Sequence, residues 1–131
     1  MKIKRIVPDI RSKNLEGNQA FYGDFLGLDL VMDQGWVMTF ASPANPSAQV
    51  TVARPDSDES LLPDVSIEVE NVRKSYEEAE SLGLPIVYPL TVEPWGVTRY
   101  FLRDPNGKIV NILSHSKMDS GQEPEGKTPN A

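Results

Sequence analysis

The chain has 131 residues, of which 39% are hydrophobic, and a formal net charge of −6. This length suits one compact domain or two very small halves that share a core, and the acidic charge argues against nucleic acid as a partner because it repels phosphates. The absence of cysteine excludes disulfides and thiolate metal sites, and no apolar run approaches the roughly 20 residues of a membrane span. The N-terminal residues lack the long apolar stretch of a signal peptide, so we expect a soluble cytoplasmic protein.

The first half of the chain predicts one strand, one helix and three further strands. "KIKRIVPDI" is the first strand, and the helix runs through "NLEGNQAFYGDFLG", with Asn14 as its N-cap and Gly27 as a left-handed C-cap. The segments "LDLVMD", "WVMTFAS" and "AQVTVAR" then have the composition of strands.

The second half predicts the same order. "PDVSIEVE" alternates apolar and polar residues, and a helix follows with Asn71 as its N-cap and Gly83 as its C-cap. The segments "PIVYPLT", "VTRYFLR" and "KIVNILS" complete the set of strands. Residues 55–63 between the halves have the composition of a linker, and residues 116–131 lack periodicity, so we expect a disordered C-terminal tail.

A short internal repeat supports a duplication. "FLGLDLV" at residues 25–31 returns as "SLGLPIV" at residues 81–87, and the same order of predicted elements surrounds both copies. One βαβββ unit cannot bury both a sheet face and a helix, whereas two units can share a core. We therefore predict one domain over residues 1–115, built from modules at 1–54 and 60–115.

The combination of paired βαβββ modules, "FYGDFLGLDLV" and "EPWGVTRYFLRDPNGKIVNIL" resembles the vicinal oxygen chelate superfamily over residues 3–115. This superfamily contains glyoxalase I, the bleomycin-resistance proteins and the extradiol dioxygenases. The resemblance implies an α+β fold in which two βαβββ modules form a curled, cup-shaped mixed sheet with helices on the outer face. It also implies a homodimer.

Strand alternation predicts which side chains line the cup. One face is apolar and should pack under the helices; it comprises Ile6, Ile10, Val50, Val52, Val65, Ile67, Val69, Val110 and Ile112. The other face should line the cup; it comprises Arg5, Val7, Asp9, Gln49, Thr51, Ala53, Asp64, Ser66, Glu68 and Asn111. If "DPNG" closes a four-residue turn, Arg103 lies opposite Lys108 and Tyr100 opposite Asn111, which adds Thr98 and Tyr100 to the cup.

The resemblance also implies where a metal would bind. Metal-using members hold one divalent ion with four side chains from the first and last strands of each module, and the matching positions here are Val7, Thr51, Asp64 and Asn111. Valine cannot ligate a metal, and a neutral hydroxyl and an amide are weak ligands beside one carboxylate. We therefore predict no metal, no cofactor and no catalytic residue, with His115 as a surface residue.

Without a metal, the cup resembles the bleomycin-resistance-like branch, and this resemblance implies a protein that binds a drug or metabolite without transforming it. The predicted guest is a small organic molecule, aromatic or cationic. The predicted ligand-binding residues are Thr51, Asp64, Glu68, Trp95, Tyr100 and Asn111, with Trp36 as a further stacking surface. Asn111 interrupts an aliphatic strand and should meet either a guest or a neighbour such as Tyr100 or Thr51. The alternative is a metal-dependent lyase, isomerase or dioxygenase of the same superfamily, so whether the chain is an enzyme stays open.

Overall fold

In a computed structural model, residues 1–57 and 61–115 are described and form two successive βαβββ units. The first unit comprises β1 (Ile3–Arg11), α1 (Leu15–Asn18) with a π-helical continuation (Gln19–Phe25), β2 (Asp29–Asp33), β3 (Val37–Ala41) and β4 (Gln49–Ala53). The second comprises β5 (Val65–Val69), α2 (Val72–Ser81), β6 (Ile86–Val92), β7 (Val97–Arg103) and β8 (Ile109–His115). The predicted C-terminal tail, 116–131, lies outside the described residues.

The strands form one mixed sheet in the order β2-β3-β4-β1-β5-β8-β7-β6. The first strands of the two units, β1 and β5, pair antiparallel at the centre, and each is flanked by the last strand of its own unit in parallel. The order is therefore the same when it is read outwards from the centre in either direction. The predicted α+β fold with a mixed sheet is confirmed.

Both helices begin and end where the sequence predicts. The Asn14 side chain accepts a hydrogen bond from the Gly17 amide at 3.0 Å, and Asn71 caps α2 in the same way. Gly27 and Gly83 follow the helical segments with φ of +79° and +69°, a conformation that favours glycine. The first helix differs in being α-helical for only four residues before it widens into the π-helical segment. No helix in the described part of the chain is long and apolar enough to cross a membrane.

Each helical segment covers the outer face of its own half of the sheet. Under α1 lie Met38, Phe40, Val50 and Val52, and under α2 lie Val69, Tyr100 and Ile112. The central strand β1 is left between them, so Ile6 and Ile10 are 58% and 38% exposed. The expectation that these two isoleucines pack under the helices is wrong, because the helices lie over the lateral strands.

The exposed isoleucines give the predicted homodimer a testable surface. We expect sedimentation of the wild type to give about twice the chain mass of 14.5 kDa, because a second copy would remove the exposed face of β1 from water. The double variant Ile6→Lys/Ile10→Lys should sediment as a monomer, whereas Phe25→Lys, at an exposed ring outside this strand, should not. A wild-type mass near 14.5 kDa at micromolar concentration would contradict the homodimer.

Candidate functional site

The β7–β8 hairpin decides which side chains face the cup, and its register differs from the predicted one. Arg103 pairs with Ile109 instead of Lys108, and Phe101 pairs with Asn111. The turn is one residue longer because Gly107 adopts a left-handed conformation and the Asp104 side chain accepts the Lys108 amide at 2.9 Å. A shift of one residue moves every side chain of a strand to the opposite face.

This shift removes Tyr100 from the cup and corrects the prediction for it. Tyr100 is buried on the outer side of the sheet, where its ring packs against Tyr76 with centroids 4.9 Å apart. Its hydroxyl lies 3.1 Å from the Ser75 hydroxyl of α2, and burial raises the pKa of Tyr100. Thr98 lies on the same side, so both residues belong to the core under α2. Their odd-numbered neighbours Arg99 and Phe101 take their place in the cup.

A chain of hydrogen bonds crosses the central strands on the concave face. The Asn111 side-chain amide donates to the Ser66 hydroxyl at 3.0 Å, and Ser66 donates to Asp9 Oδ2 at 2.7 Å. Asn111 is fully buried, and its Oδ1 has no hydrogen-bond partner among the described residues. The partner of Asn111 is thus Ser66 and not Tyr100 or Thr51, the two neighbours considered from the sequence.

Asp9, the carboxyl group in this chain of hydrogen bonds, has a strongly raised pKa. Burial raises its pKa from 3.8 to about 7, against the lowering effect of the Ser66 hydrogen bond. The nearby charge of Asp64 raises the pKa further, while Arg5 and Arg99 lower it. Near neutral pH, Asp9 is therefore present both as a hydrogen-bond donor and as an anion.

Glu68, a predicted ligand-binding residue, is engaged within the protein. Its carboxylate oxygens lie 3.1 Å from Arg5 Nε and 2.8 Å from His115 Nδ1. Arg5 also donates through Nη1 to the Gln49 side chain at 2.8 Å. Burial alone would raise the pKa of Glu68, but the His115 hydrogen bond and the Arg5 charge hold it below its ordinary value. This buried cluster occupies the end of the concave face away from Asp9.

At the Asp9 end of the concave face lies a small inner cleft of about 70 Å³. It has polar groups on an apolar wall and is lined by Asp9, Ile10, Arg11, Trp36, Val37, Thr51, Ala53, Leu61, Leu62, Pro63, Arg99 and Phe101. It adjoins an outer cleft of about 460 Å³, with which it shares Trp36, Leu61, Leu62 and Arg99. The two are therefore neighbouring clefts of unequal size.

Of the six predicted ligand-binding residues, only Thr51 lines the inner cleft, where its hydroxyl lies 3.0 Å from that of Thr39. Asp64 lies beside Asp9, and its Oδ2 accepts the Ile109 amide at 2.8 Å. Trp95 lies behind Arg99 instead of lining the cleft, and Trp36 lines both clefts.

Arg99, which the sequence did not single out, lines both clefts. Its Nε donates to Glu93 Oε2 at 2.7 Å, and the same oxygen accepts the Tyr88 hydroxyl at 2.7 Å. Its guanidinium carbon lies 4.9 Å from the ring centre of Phe101 and 5.2 Å from that of Trp95. An ion pair and cation–π contacts therefore hold a charged side chain at the wall of both clefts.

The residues at the implied metal positions do not fit a divalent ion. Val7 offers no donor, Thr51 offers only a neutral hydroxyl and Asn111 only a neutral amide oxygen. Asp64 is thus the one carboxylate at these positions, while His115 bonds Glu68 at the other end of the face. In the described ranges, no group of three or more histidine, aspartate or glutamate side chains could hold a metal ion.

Comparison with known proteins agrees with this architecture. The Glyoxalase/Bleomycin resistance protein/Dioxygenase superfamily matches residues 2–112, nearly all of the described chain. The chain belongs to this superfamily. A search of curated proteins found no match.

Solved structures share the fold at low sequence identity. A superfamily member from Vibrio splendidus is 15% identical with a TM-score of 0.66, covering 86% of this chain and 99% of that one. A hypothetical protein from Bacillus halodurans is 16% identical with a TM-score of 0.70, covering 87% and 95%. The Mn(II)-bound glyoxalase from Novosphingobium aromaticivorans is 18% identical with a TM-score of 0.61, covering 99% of this chain and 42% of that longer one. At these identities the likeness shows the fold alone.

Proposed function

We propose that this member of the glyoxalase/bleomycin resistance/dioxygenase superfamily is a metal-free protein that binds a small organic molecule in the two adjoining clefts. The observation that carries the proposal is the inner cleft, where Asp9, Thr51 and Arg99 stand against the apolar surfaces of Trp36 and Phe101. Apolar walls with a few placed polar groups are typical of small-molecule sites. The unsuitable donor set at the metal positions supports binding without a metal.

The predicted site residues take different parts in this proposal. Thr51 contacts the guest, while Trp95 acts through Arg99, whose guanidinium it contacts. Asn111 does not line the inner cleft; it lies two strands away from Asp9 in the same sheet and is linked to it through Ser66. The cytoplasmic location and the homodimer stay predictions.

The charges of the concave face bear on the guest. Glu68 forms an ion pair with Arg5 and a hydrogen bond with His115, and Asp64 accepts a backbone amide. Asp9 is partly protonated near neutral pH. These three carboxyl groups therefore offer little to a cationic guest, whereas Trp36 and Phe101 offer apolar surface to an aromatic one.

Filling the inner cleft tests the proposal. We expect Ala53→Met, at a residue that lines the cleft, to weaken binding of aromatic guests at least tenfold because the added side chain occupies their space. Tryptophan fluorescence and melting temperature would be recorded with chelator-treated protein against a panel of anionic, neutral and cationic aromatic compounds. Ala48→Met, at an exposed residue outside the cleft, is the matched control.

Two results would contradict the proposal. The first is a full panel that shifts neither fluorescence nor melting temperature. The second is protein purified with stoichiometric zinc, nickel, iron or manganese whose removal abolishes binding or turnover, which would establish the metal-dependent lyase, isomerase or dioxygenase instead.

A further inference from the structure

We propose that the guest is an organic carboxylate, whose head group binds Arg99 in the inner cleft while its apolar body lies against Trp36 and Leu62 in the outer cleft. This inference rests on the proposed small-molecule binding and adds the chemical class of the guest. Three features support a carboxylate guest: the fixed position of Arg99, the unequal sizes of the two clefts and the charge around them.

The first support is that Arg99 is held in place with unused donors. Glu93, which is buried, binds its Nε, and the rings of Phe101, Trp95 and Tyr88 lie within 5.5 Å of the guanidinium carbon. Within residues 1–57 and 61–115, no acceptor bonds its two terminal nitrogens. Arg99 lines both clefts, so these nitrogens are available to a guest. A guanidinium presents paired donors that match the two oxygens of a carboxylate.

The second support is the size of the two clefts. A volume of about 70 Å³ is too small for a whole drug-sized molecule, which needs roughly 300 Å³ or more, but it suits a head group. The outer cleft, at about 460 Å³, has room for the body. Trp36, Leu61 and Leu62 border both volumes and form a continuous apolar path from one to the other.

The third support is the charge around the clefts. Among the described residues, the clefts are bordered by Arg11, Arg54 and Arg99 and by the carboxyl groups of Asp9 and Asp56. Glu93 neutralises Arg99 in part, but it binds Nε and leaves the two terminal nitrogens to a guest. Below the pKa of about 7, Asp9 is mostly protonated and can donate a hydrogen bond to a carboxylate, whereas an ammonium head group would stand beside Arg99 and gain little from a mostly neutral Asp9.

Three probes that differ only in the head group test the inference. 3-Phenylpropanoate, 3-phenylpropanamide and 3-phenylpropylamine share one body, and titration calorimetry with tryptophan fluorescence at pH 6 gives their dissociation constants. We expect the carboxylate to bind at least tenfold more tightly than the amide and the amine to bind most weakly. An amine or amide that binds as tightly as the carboxylate overturns the carboxylate assignment and leaves small-molecule binding standing. Failure of all three probes and of the wider panel overturns both.

Variants then assign the effect to Arg99. Arg99→Lys keeps the charge opposite Glu93 but removes the paired donors. It should therefore weaken binding of the carboxylate probe at least tenfold and change the affinity for the amide probe by no more than about twofold. The double variant Arg99→Met/Glu93→Gln avoids a buried unpaired carboxylate if the lysine variant does not fold. Arg103→Met, at an exposed arginine of the same strand that donates to the Gly107 carbonyl, is the control and should bind like the wild type. Unchanged carboxylate affinity in a folded Arg99 variant overturns the inference.

Discussion

Replacing Asp9 with asparagine should raise the free energy of unfolding at pH 8 by as much as about 4 kcal/mol, since burial raises the pKa of Asp9 from 3.8 to about 7 and each unit is worth about 1.4 kcal/mol. The ionised carboxylate is the form that burial destabilises. Asparagine has nearly the same shape and keeps an oxygen that can accept the Ser66 hydroxyl, which now bonds Asp9 Oδ2 at 2.7 Å. The gain should therefore come without loss of packing.

The sign of the pH dependence follows from the direction of the shift. Folded Asp9 holds its proton more tightly than unfolded Asp9, so this residue lowers stability progressively as the pH rises from about 4 to about 7. The difference in unfolding free energy between Asp9→Asn and the wild type should thus be small at pH 4 and largest at pH 8. Urea denaturation across this range measures it, with Asp24→Asn at an exposed position as the control. A difference that does not change with pH would show that Asp9 ionises normally.

Replacing Glu68 with glutamine should destabilise the protein by about 3–5 kcal/mol, because it leaves the buried Arg5 guanidinium without its counter-charge. His115 loses its carboxylate partner as well. The Arg5–Glu68 pair should also make the free energy of unfolding fall at acid pH. Because the pKa of Glu68 is lowered in the folded protein, its contribution is complete above the unfolded value near 4.5 and is lost as the pH falls through the folded value.

Two comparisons make the Glu68 result interpretable. Glu70→Gln removes an exposed pair with Lys2, 3.8 Å apart, and should change stability by less than about 1 kcal/mol. The double variant Arg5→Met/Glu68→Leu removes both charges and should recover most of the loss. Equal effects of Glu68→Gln and Glu70→Gln in urea denaturation would refute a structural role for Glu68. Folded Glu68→Gln protein should still bind guests, since Glu68 does not line either cleft.

The fold could be predicted from the sequence because its signals are local. Asn14 and Asn71 cap helices through their own side chains, and Gly27 and Gly83 occupy left-handed positions that few other residues tolerate. Because the same signals return at nearly the same spacing in the second half, the order of the helices and strands could be predicted.

The site could be predicted only in part because it depends on register and on side-chain partners. Strand alternation placed Thr51 and Glu68 on the concave face, but it could not show that Glu68 is engaged by Arg5 and His115. A single residue in the β7–β8 turn exchanged Tyr100 for Phe101 at the position opposite Asn111. The signal that could have found this register was Gly107, because a glycine at the end of a tight turn often adds a residue to it.

The mirrored strand order also gives the pocket a direction. Thr39 pairs with Thr51 and Phe101 pairs with Asn111, so counting two residues back places Val37 and Arg99 at equivalent points of the two units. Both line the inner cleft, one aliphatic and one cationic. Two identical units would offer a guest two equal orientations. Divergence at this pair, and at the neighbouring pair Thr39 and Phe101, favours a single orientation, so the duplicated scaffold can discriminate between the two ends of an unsymmetrical molecule.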